Sequence, residues 1–332
     1  MAIPAEKQRS SAVEYVRGGW RNALPLIRRN GAVAALLLMV IALSIVSPNF
    51  LTWNNLVNLV RQVSIYAIVA VGMTFVIITA GIDLSVGAVM SITSLAMAGL
   101  AVHYGWNGVA ALLVGLLFGA FIGLLNGLLC TKVGLPPFIA TLGTMSVARG
   151  LGYVYTNGAP IYGLPADFRW FGNGMLGPIP VPVLLMLLVV IAGQFMLMHT
   201  RFGRYCFAIG GNEEAATLSG VRVDRYKTVA YVLTGVLSAL AGAIMAARLN
   251  AAAPTAGDGY ELDIIAAAVI GGVSLMGGQG SVLGSLVGAL IMGVVRNGLN
   301  LLVVSSNWQR VVIGGIIIFA VTMDVYGKRR RG

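Results

Sequence analysis

Long apolar runs separated by short polar segments dominate this chain of 332 residues. A helix that crosses a bilayer needs about 20 predominantly apolar residues. The runs that reach or approach this length are residues 30–47, 63–80, 84–103, 108–130, 138–155, 180–199, 228–248, 262–276, 283–302 and 310–326. The pattern predicts an all-α polytopic membrane protein with about ten transmembrane helices.

The composition excludes a water-soluble protein. Hydrophobic residues make up 58% of the chain and charged residues 10%, whereas soluble domains carry roughly 25% charged residues. So few charges cannot cover a water-facing surface, which excludes a cytosolic enzyme, a DNA-binding domain and a disordered chain. We therefore expect a lipid bilayer as the surroundings and no nucleic acid as a partner.

Basic residues are concentrated in short segments, and their placement predicts the orientation. Cytoplasmic segments would hold six Lys or Arg in residues 1–29, then Lys132, five in 200–227 and four in 328–331. The external side would hold Arg61, Arg169, Arg248 and Arg310. This bias places both termini in the cytoplasm. It divides the chain into a basic segment 1–29, a transmembrane domain 30–326 and a basic tail 327–332.

Three segments between the runs have distinct patterns. Residues 49–61 show apolar positions at helical spacing, which predicts a helix lying in the membrane interface. The loop 156–179 is rich in Gly and Pro, so we expect it to be ordered by turns alone. Gly277 to Gly280 interrupt the chain after the short eighth run, as in helices that line a transport path.

A weak internal similarity predicts an inverted repeat. Residues 119–122 (GAFI) lead to Asn126-Gly127-Leu128, and residues 288–291 (GALI) lead to Asn297-Gly298-Leu299. The two segments lie on the fourth and ninth runs, five apart, and an odd offset makes the two helices antiparallel. This favours a five-plus-five inverted repeat, with chance similarity as the alternative.

The polar loop 200–227 contains a predicted short helix. Asn212 is a suitable N-cap, Glu213 and Glu214 fall in the first turn, where the helix dipole favours acids, and Gly220 ends the helix. A capped helix flanked by basic residues is suited to dock on another protein. An ordinary basic loop is the alternative.

At this loop the chain resembles the membrane subunit of ribose-type sugar ABC importers, a permease family that includes ribose, xylose, arabinose and galactoside systems. The similar segments are Gly81–Gly87 (GIDLSVG), Pro137–Met145 (PFIATLGTM), Gly210–Gly220 (GGNEEAATLSG), Gly259–Asp263 (GYELD), Val269–Gly272 (VIGG) and Asn297–Leu302 (NGLNLL). The resemblance covers about residues 50–326. It implies a multi-pass permease of the inner (plasma) membrane that translocates a simple sugar, a ribose-like pentose or a hexose.

The resemblance also implies partners. A cytoplasmic ABC ATPase would bind the short helix of the loop 200–227, which the family uses as its coupling helix. A periplasmic sugar-binding protein would deliver the sugar. A second permease copy would complete the pathway as a homodimer. The residues implied in coupling are Asn212, Glu213, Glu214, Ala215, Ala216, Thr217, Leu218, Ser219 and Gly220. Asp258 and Glu261 are candidates for seating the binding protein, with a solvated turn as the alternative.

The sequence carries no sign of catalysis within this subunit. It lacks the Gly-x-x-x-x-Gly-Lys-Ser/Thr loop that binds ATP phosphates, so ATP-driven transport would need a separate ATPase. His103 and His199 are isolated, and Cys130 and Cys206 have no second Cys at metal-ligand spacing. We expect no enzyme activity, no cofactor and no metal.

Polar residues inside the runs are candidates for the translocation pathway. They are Asp83, Asn126, Thr141, Thr144, Arg149, Asn297 and Asn300. Asp83 would cap the third helix or line a gate. Arg149 and Arg296 each need a partner in the membrane, and the nearby acids are Asp83, Asp258, Glu261 and Asp263. Helix packing and structural ion pairs are the alternative roles for these groups.

Other functions remain open at this point. An ion-coupled secondary transporter would need a titrating carboxylate within the membrane, for which Asp83 and Asp263 are the candidates. A membrane-embedded enzyme would need a cluster of His, Asp or Glu, which the sequence lacks. A permease of the same family for branched-chain amino acids or for a sugar-like signal molecule is a further alternative.

Overall fold

The computed structural model describes residues 31–329. The predicted basic segment 1–29 and the last three residues of the tail lie outside the described residues. Within them the chain forms thirteen helices and four two-residue strands. The helices are α1 (Gly31–Val46), α2 (Trp53–Ile78), α3 (Val86–His103), α4 (Gly108–Thr131), α5 (Pro137–Thr156), α6 (Ala166–Asn173), α7 (Val181–His199), α8 (Arg201–Gly211), α9 (Glu213–Leu218), α10 (Val223–Leu249), α11 (Tyr260–Ile270), α12 (Val282–Leu301) and α13 (Ser306–Arg329).

Six of the described helices are long and apolar enough to cross a membrane. They are α2, α3, α4, α7, α10 and α12. The other four predicted runs correspond to the short apolar helix α1, to α5, to α11 with the turns that follow it, and to α13. The helical membrane fold is therefore confirmed, and the number ten stays a prediction.

The helices α2 and α10 form the centre of the bundle. Residues 63–78 of α2 are all buried, and most residues in the second half of α10 are buried as well. Such complete burial requires an apolar surface all round, and both helices have one. Glycines on α4 let it approach α10 closely, with Gly119 against Gly235 and Gly123 against Tyr231.

Part of the pattern of helix contacts is repeated between the two halves of the chain. The pairs α2–α12, α3–α4, α3–α5 and α3–α10 have as counterparts α10–α4, α11–α12, α11–α13 and α11–α2. Each counterpart is obtained by replacing both helices of a pair with the helices that lie five predicted spans away. This contact pattern supports the inverted repeat that the sequence predicts.

Two local expectations need correction. Residues 53–61 are helical as predicted, but they form the first part of α2, which continues without a break to Ile78, and not a helix of their own. The loop 156–179 is ordered by more than turns, since it contains the helix α6. Asp167 anchors α6 by accepting a hydrogen bond from the Gly108 backbone N–H.

The four strands form two small antiparallel pairs outside the bundle. β1 (Ile161–Tyr162) pairs with β4 (Ala251–Ala252), and β2 (Met175–Leu176) pairs with β3 (Ile179–Pro180). The first pair ties the loop after α5 to the segment that follows α10.

Candidate functional site

The helix α9 starts and ends as the sequence predicts. The Asn212 Oδ1 atom accepts a hydrogen bond from the Ala215 backbone N–H at 2.9 Å. Gly220 adopts a φ of +82° directly after the helix, a conformation that glycine takes at little cost. Glu213 and Glu214 both lie in the first turn. The N-cap, the acidic turn and the terminating glycine are therefore confirmed.

One face of α9 is fixed to the protein and the opposite face is exposed. Ala216 is buried against Ile209 and Val223, and the Lys227 Nζ atom donates to Glu213 Oε2 at 2.5 Å. Glu214 is exposed, and the apolar side chain of Leu218 is 83% exposed. The outward face of α9 thus presents one acidic and one apolar side chain that contact no other part of the described residues closely enough to be covered.

A groove of about 670 Å³ runs beside α9. Its charged lining residues are Lys132, Glu213, Arg222, Asp224 and Arg225. The Lys132 Nζ atom donates to Asp224 Oδ2 at 2.8 Å, which links the end of α4 to the start of α10.

The helix α8 leads into α9, and its end at Gly210 touches the bundle through backbone atoms. A Cβ atom on Gly210 would overlap the Ile78 carbonyl oxygen and the Gly278 nitrogen. The Gly278 N–H donates to that same carbonyl at 2.9 Å. The end of α2, the turns after α11 and the helix before α9 therefore meet at a junction with no side chain between them.

A first break in the helices, residues 79–85, collects three of the predicted pathway residues. The Asp83 Oδ1 atom accepts from the Ser85 backbone N–H at 2.9 Å and from Ser85 Oγ at 2.6 Å. Asn126 donates to Ser85 Oγ at 2.8 Å, and Thr141 Oγ1 accepts from the Leu84 N–H at 3.1 Å. Asp83, Asn126 and Thr141 are all buried. The carboxylate thus stabilises the turn that leads into α3.

A second break, residues 250–259, folds back along α3. The Ser91 Oγ atom donates to the Ala253 and Pro254 carbonyl oxygens at 3.1 and 3.0 Å. A Cβ atom on Gly87 would overlap the Gly257 carbonyl oxygen and crowd the Glu261 carboxylate. Only glycine at position 87 lets the starts of α3 and α11 lie this close.

The acids near the second break pair with the two arginines. Arg149 Nη2 lies 3.3 Å from Asp258 Oδ1 and 3.3 Å from Glu261 Oε1. Arg296 Nη2 lies 2.5 Å from Asp263 Oδ2. The partners that Arg149 and Arg296 need in an apolar bundle are therefore present, and they come from the acids that the sequence offers.

Two stacked tyrosines help to hold Arg296. The rings of Tyr66 and Tyr260 are 4.8 Å apart, and the Arg296 guanidinium lies 6.0 and 5.9 Å from their centres. This distance permits a cation–π interaction with both rings. Tyr66 was not among the sequence candidates because an aromatic residue in an apolar run is usually only a packing residue.

The remaining pathway candidates make hydrogen bonds elsewhere. Thr144 donates to the Ala140 carbonyl one turn before it. Asn297 exchanges two hydrogen bonds with Asn55, at 2.7 and 3.1 Å. Asn300 accepts from Gln309 at 2.9 Å. The Asn297 and Asn300 contacts join α12 to α2 and to α13, whereas the Thr144 bond stays within α5.

Comparison with known families identifies the chain. The profile described as "Branched-chain amino acid transport system / permease component" matches residues 55–321. The chain belongs to this family. With its six apolar candidate spans, it is a multi-pass permease of the inner membrane.

Curated relatives cover nearly the whole chain. It is 51% identical to the ribose import permease protein RbsC of Bacillus subtilis, over 90% of this chain and 93% of the relative. Identity to RbsC of Escherichia coli K12 is 49%, over 88% of this chain and 92% of the relative. The D-allose transport system permease AlsC of Escherichia coli K12 is 40% identical, over 89% and 90%. No solved structure matches the chain.

Proposed function

We propose that this chain is the permease subunit of an ABC importer whose sugar is ribose. The observation that carries the proposal is the identity of about 50% to ribose import permeases of two distantly related bacteria. Identity falls to 40% for the allose permease and to 37% for the xylose permease XylH. The gradient favours ribose over these two sugars and over the amino acids in the family description.

The proposal includes a separate ATPase that binds residues 212–220. Support comes from the rigid attachment of α9 through Ala216 and from the exposure of Glu214 and Leu218 on its free face. A displacement of α9 would pass through α8 to the Gly210 junction. There it would reach both the end of α2 and the turns after α11.

The proposal also includes ten crossings with both termini in the cytoplasm. The distribution of Lys and Arg supports this orientation. The contact of Gly278 with Ile78 supports an eighth crossing made up of the segment 250–259, α11 and the turns after it, because these turns lie against the end of α2.

On the external side, a sugar-binding protein would dock near the second break. Asp258 is the more accessible of the two predicted contact residues, with a side chain that is 44% exposed. Glu261 is buried and pairs with Arg149. The apolar residues exposed on α5, such as Val147 and Val154, would be covered by lipid or by a second permease copy that completes a homodimer.

Reconstituted transport tests the proposal. The permease, the ATPase and the binding protein encoded with it would be assembled in proteoliposomes and supplied with labelled ribose, allose, xylose or leucine. We expect uptake of ribose that requires all three proteins and requires ATP on the cytoplasmic side of the permease. Uptake of leucine but not ribose, or uptake driven by a proton gradient without ATP, would contradict the proposal. The second result would favour an ion-coupled transporter.

A further inference from the structure

A charged cavity of about 530 Å³ opens between α5, α11, α12 and α13. This volume lies within the range of roughly 300–1,000 Å³ that is typical of small-molecule sites. Its charged lining residues are Arg149, Asp258, Asp263, Arg296 and Arg310. A third carboxylate, that of Glu261, lies against Arg149. Three arginines and three carboxylates thus meet in one place.

The cavity reaches the middle of the bundle. Arg149 lies near the middle of α5, and Tyr66, which contacts Arg296, lies near the middle of α2. At this depth α3 and α11 both begin, with Gly87 against Glu261. Helices that start part-way through the membrane after an extended segment are where transporters commonly bind their solutes.

Several polar atoms at the cavity have no partner. Asp263 is 1% exposed, and its Oδ1 atom accepts no hydrogen bond. The Nε atoms of Arg149 and Arg296 are buried and donate none. Buried polar atoms are nearly always satisfied in proteins. The Oε2 atom of Glu261 is likewise buried without a partner, so two acceptors and two donors beside a cavity of this size indicate that something polar completes the site.

The donor and acceptor set defines the class of ligand. Carboxylates only accept hydrogen bonds and guanidinium groups only donate them, whereas a hydroxyl group does both. Neighbouring hydroxyls can therefore bridge an arginine and an acid without breaking their pair. Because the charges balance, an ionic ligand would have to displace one partner and leave a buried charge, which is costly.

We infer that this cavity binds a neutral polyhydroxylated molecule, a free pentose or hexose on its passage through the permease. The inference rests on the proposed function, since it places the transported sugar at a defined point in the subunit. Asp263 and Arg149 would accept from and donate to vicinal hydroxyls, while the tyrosine pair keeps Arg296 in position.

Direct binding to the full-length permease tests this site. The permease would be placed in phosphatidylcholine nanodiscs, which contain no sugar headgroup, and saturation-transfer NMR would be recorded with D-ribose. Cyclopentanol, with one hydroxyl, and ribose 5-phosphate, with a charge, serve as comparison probes. We expect saturation transfer to ribose and much less to the other two probes.

The double variant Asp263→Asn/Arg296→Gln removes both members of a pair and leaves no unpaired charge. We expect it to weaken ribose binding about tenfold or more, since hydrogen bonds to charged groups are lost. The matched control is Lys132→Gln/Asp224→Asn, which removes an exposed pair elsewhere and should leave binding unchanged. If the double variant does not insert, Arg310→Gln, at an exposed lining residue, carries the test with an expected several-fold loss.

Absence of ribose binding to the wild-type permease would overturn the inference, as would equal binding of ribose 5-phosphate or unchanged binding in the cavity variants. These results would leave the proposed function intact if the assembled importer still takes up ribose. Failure of the assembled importer to take up ribose would instead contradict the proposed function itself.

Discussion

The buried carboxylate of Asp83 lies next to groups that donate hydrogen bonds to it. Asp83 is 2% exposed, and a carboxylate at such a position is expensive unless it is hydrogen-bonded. It accepts two hydrogen bonds from Ser85. Ser85 in turn accepts one from Asn126, so that one acid organises the connection of α2, α3 and α4.

This arrangement predicts unequal effects of two substitutions at position 83. Asp83→Ala removes both hydrogen bonds to Ser85 and should destabilise the permease by about 2–3 kcal/mol. Asp83→Asn keeps an acceptor oxygen at the same place and should cost less. Thermal unfolding of the purified variants in detergent measures the difference. Equal midpoints for the two variants would show that Asp83 does not stabilise the break through these bonds.

The exposed face of α9 gives a second prediction at the residue scale. Arginine at both Glu213 and Glu214 removes the pair with Lys227 and reverses the charge presented to the ATPase. Reversal of charge at an interface typically weakens association. We expect ATP-dependent uptake to be uncoupled while membrane insertion is normal.

Uptake in proteoliposomes and co-purification of the ATPase measure this effect. Glu214→Arg alone leaves the pair of Glu213 with Lys227 in place. It therefore distinguishes an effect on ATPase binding from an effect on the local fold of α9. Leu218→Asp should act like the double variant, because it puts a charge on the most exposed apolar position of α9. Unchanged uptake in all three variants would contradict the proposal that this helix docks on the ATPase.

At the scale of elements, one helix end, one helix and one set of turns are connected by backbone contacts. The junction at Gly210 links α8 to the end of α2 and to the turns after α11. Contacts between backbone atoms deform less under a displacement than contacts between flexible side chains. A movement of α8 should therefore be passed on to both segments with little loss.

Two adjacent glycines allow a matched test of this junction. Gly210→Ala would overlap the Ile78 carbonyl oxygen, whereas a Cβ atom on Gly211 meets nothing within 4 Å. Alanine is the better helix former by about 1 kcal/mol, so any loss must come from crowding. We expect Gly210→Ala to lower the sugar transported per ATP hydrolysed and Gly211→Ala to leave this ratio unchanged.

Uptake and ATP hydrolysis measured on the same proteoliposomes give the ratio. A merely unstable variant would lose both activities together and keep the ratio. Equal ratios for Gly210→Ala, Gly211→Ala and the wild type would show that the junction is not part of the coupling path.

At the scale of the whole molecule, several helix contacts of one half recur in the other, among them α2 with α12 and α10 with α4. The predicted ten crossings place α9 in the cytoplasm and the connection between α3 and α4 outside. Single cysteines on these segments test the orientation, after Cys130 and Cys206 have been replaced by serine and alanine. Glu214→Cys and Tyr104→Cys are suitable because both side chains are exposed.

We expect a membrane-impermeant maleimide to label the Tyr104→Cys variant in intact cells. It should label the Glu214→Cys variant only after the cells are permeabilised. Labelling of both positions from the outside would contradict the predicted topology. It would also remove α9 from the side on which ATP is available.

Much of this fold follows from local patterns. Apolar runs predict helices because a backbone in lipid must satisfy its own hydrogen bonds. The Asn212 cap and the Gly220 stop were predictable because they act within a few residues. The continuous helix from Trp53 to Ile78 was missed, since nothing in its local pattern shows whether its first turns lie in the interface or continue the span.

The sequence by itself determined that this protein is a helical membrane permease, where most of its helices lie and which acids could neutralise Arg149 and Arg296. These properties depend on composition and on neighbours along the chain. Only the tertiary structure decided that Asp83, Asn126 and Thr141 meet at one break, and that Tyr66, Asp263 and Arg296 meet at a cavity. Contacts between residues this far apart in the chain depend on how helices pack, and close approaches such as Gly87 on Gly257 fix that packing in three dimensions.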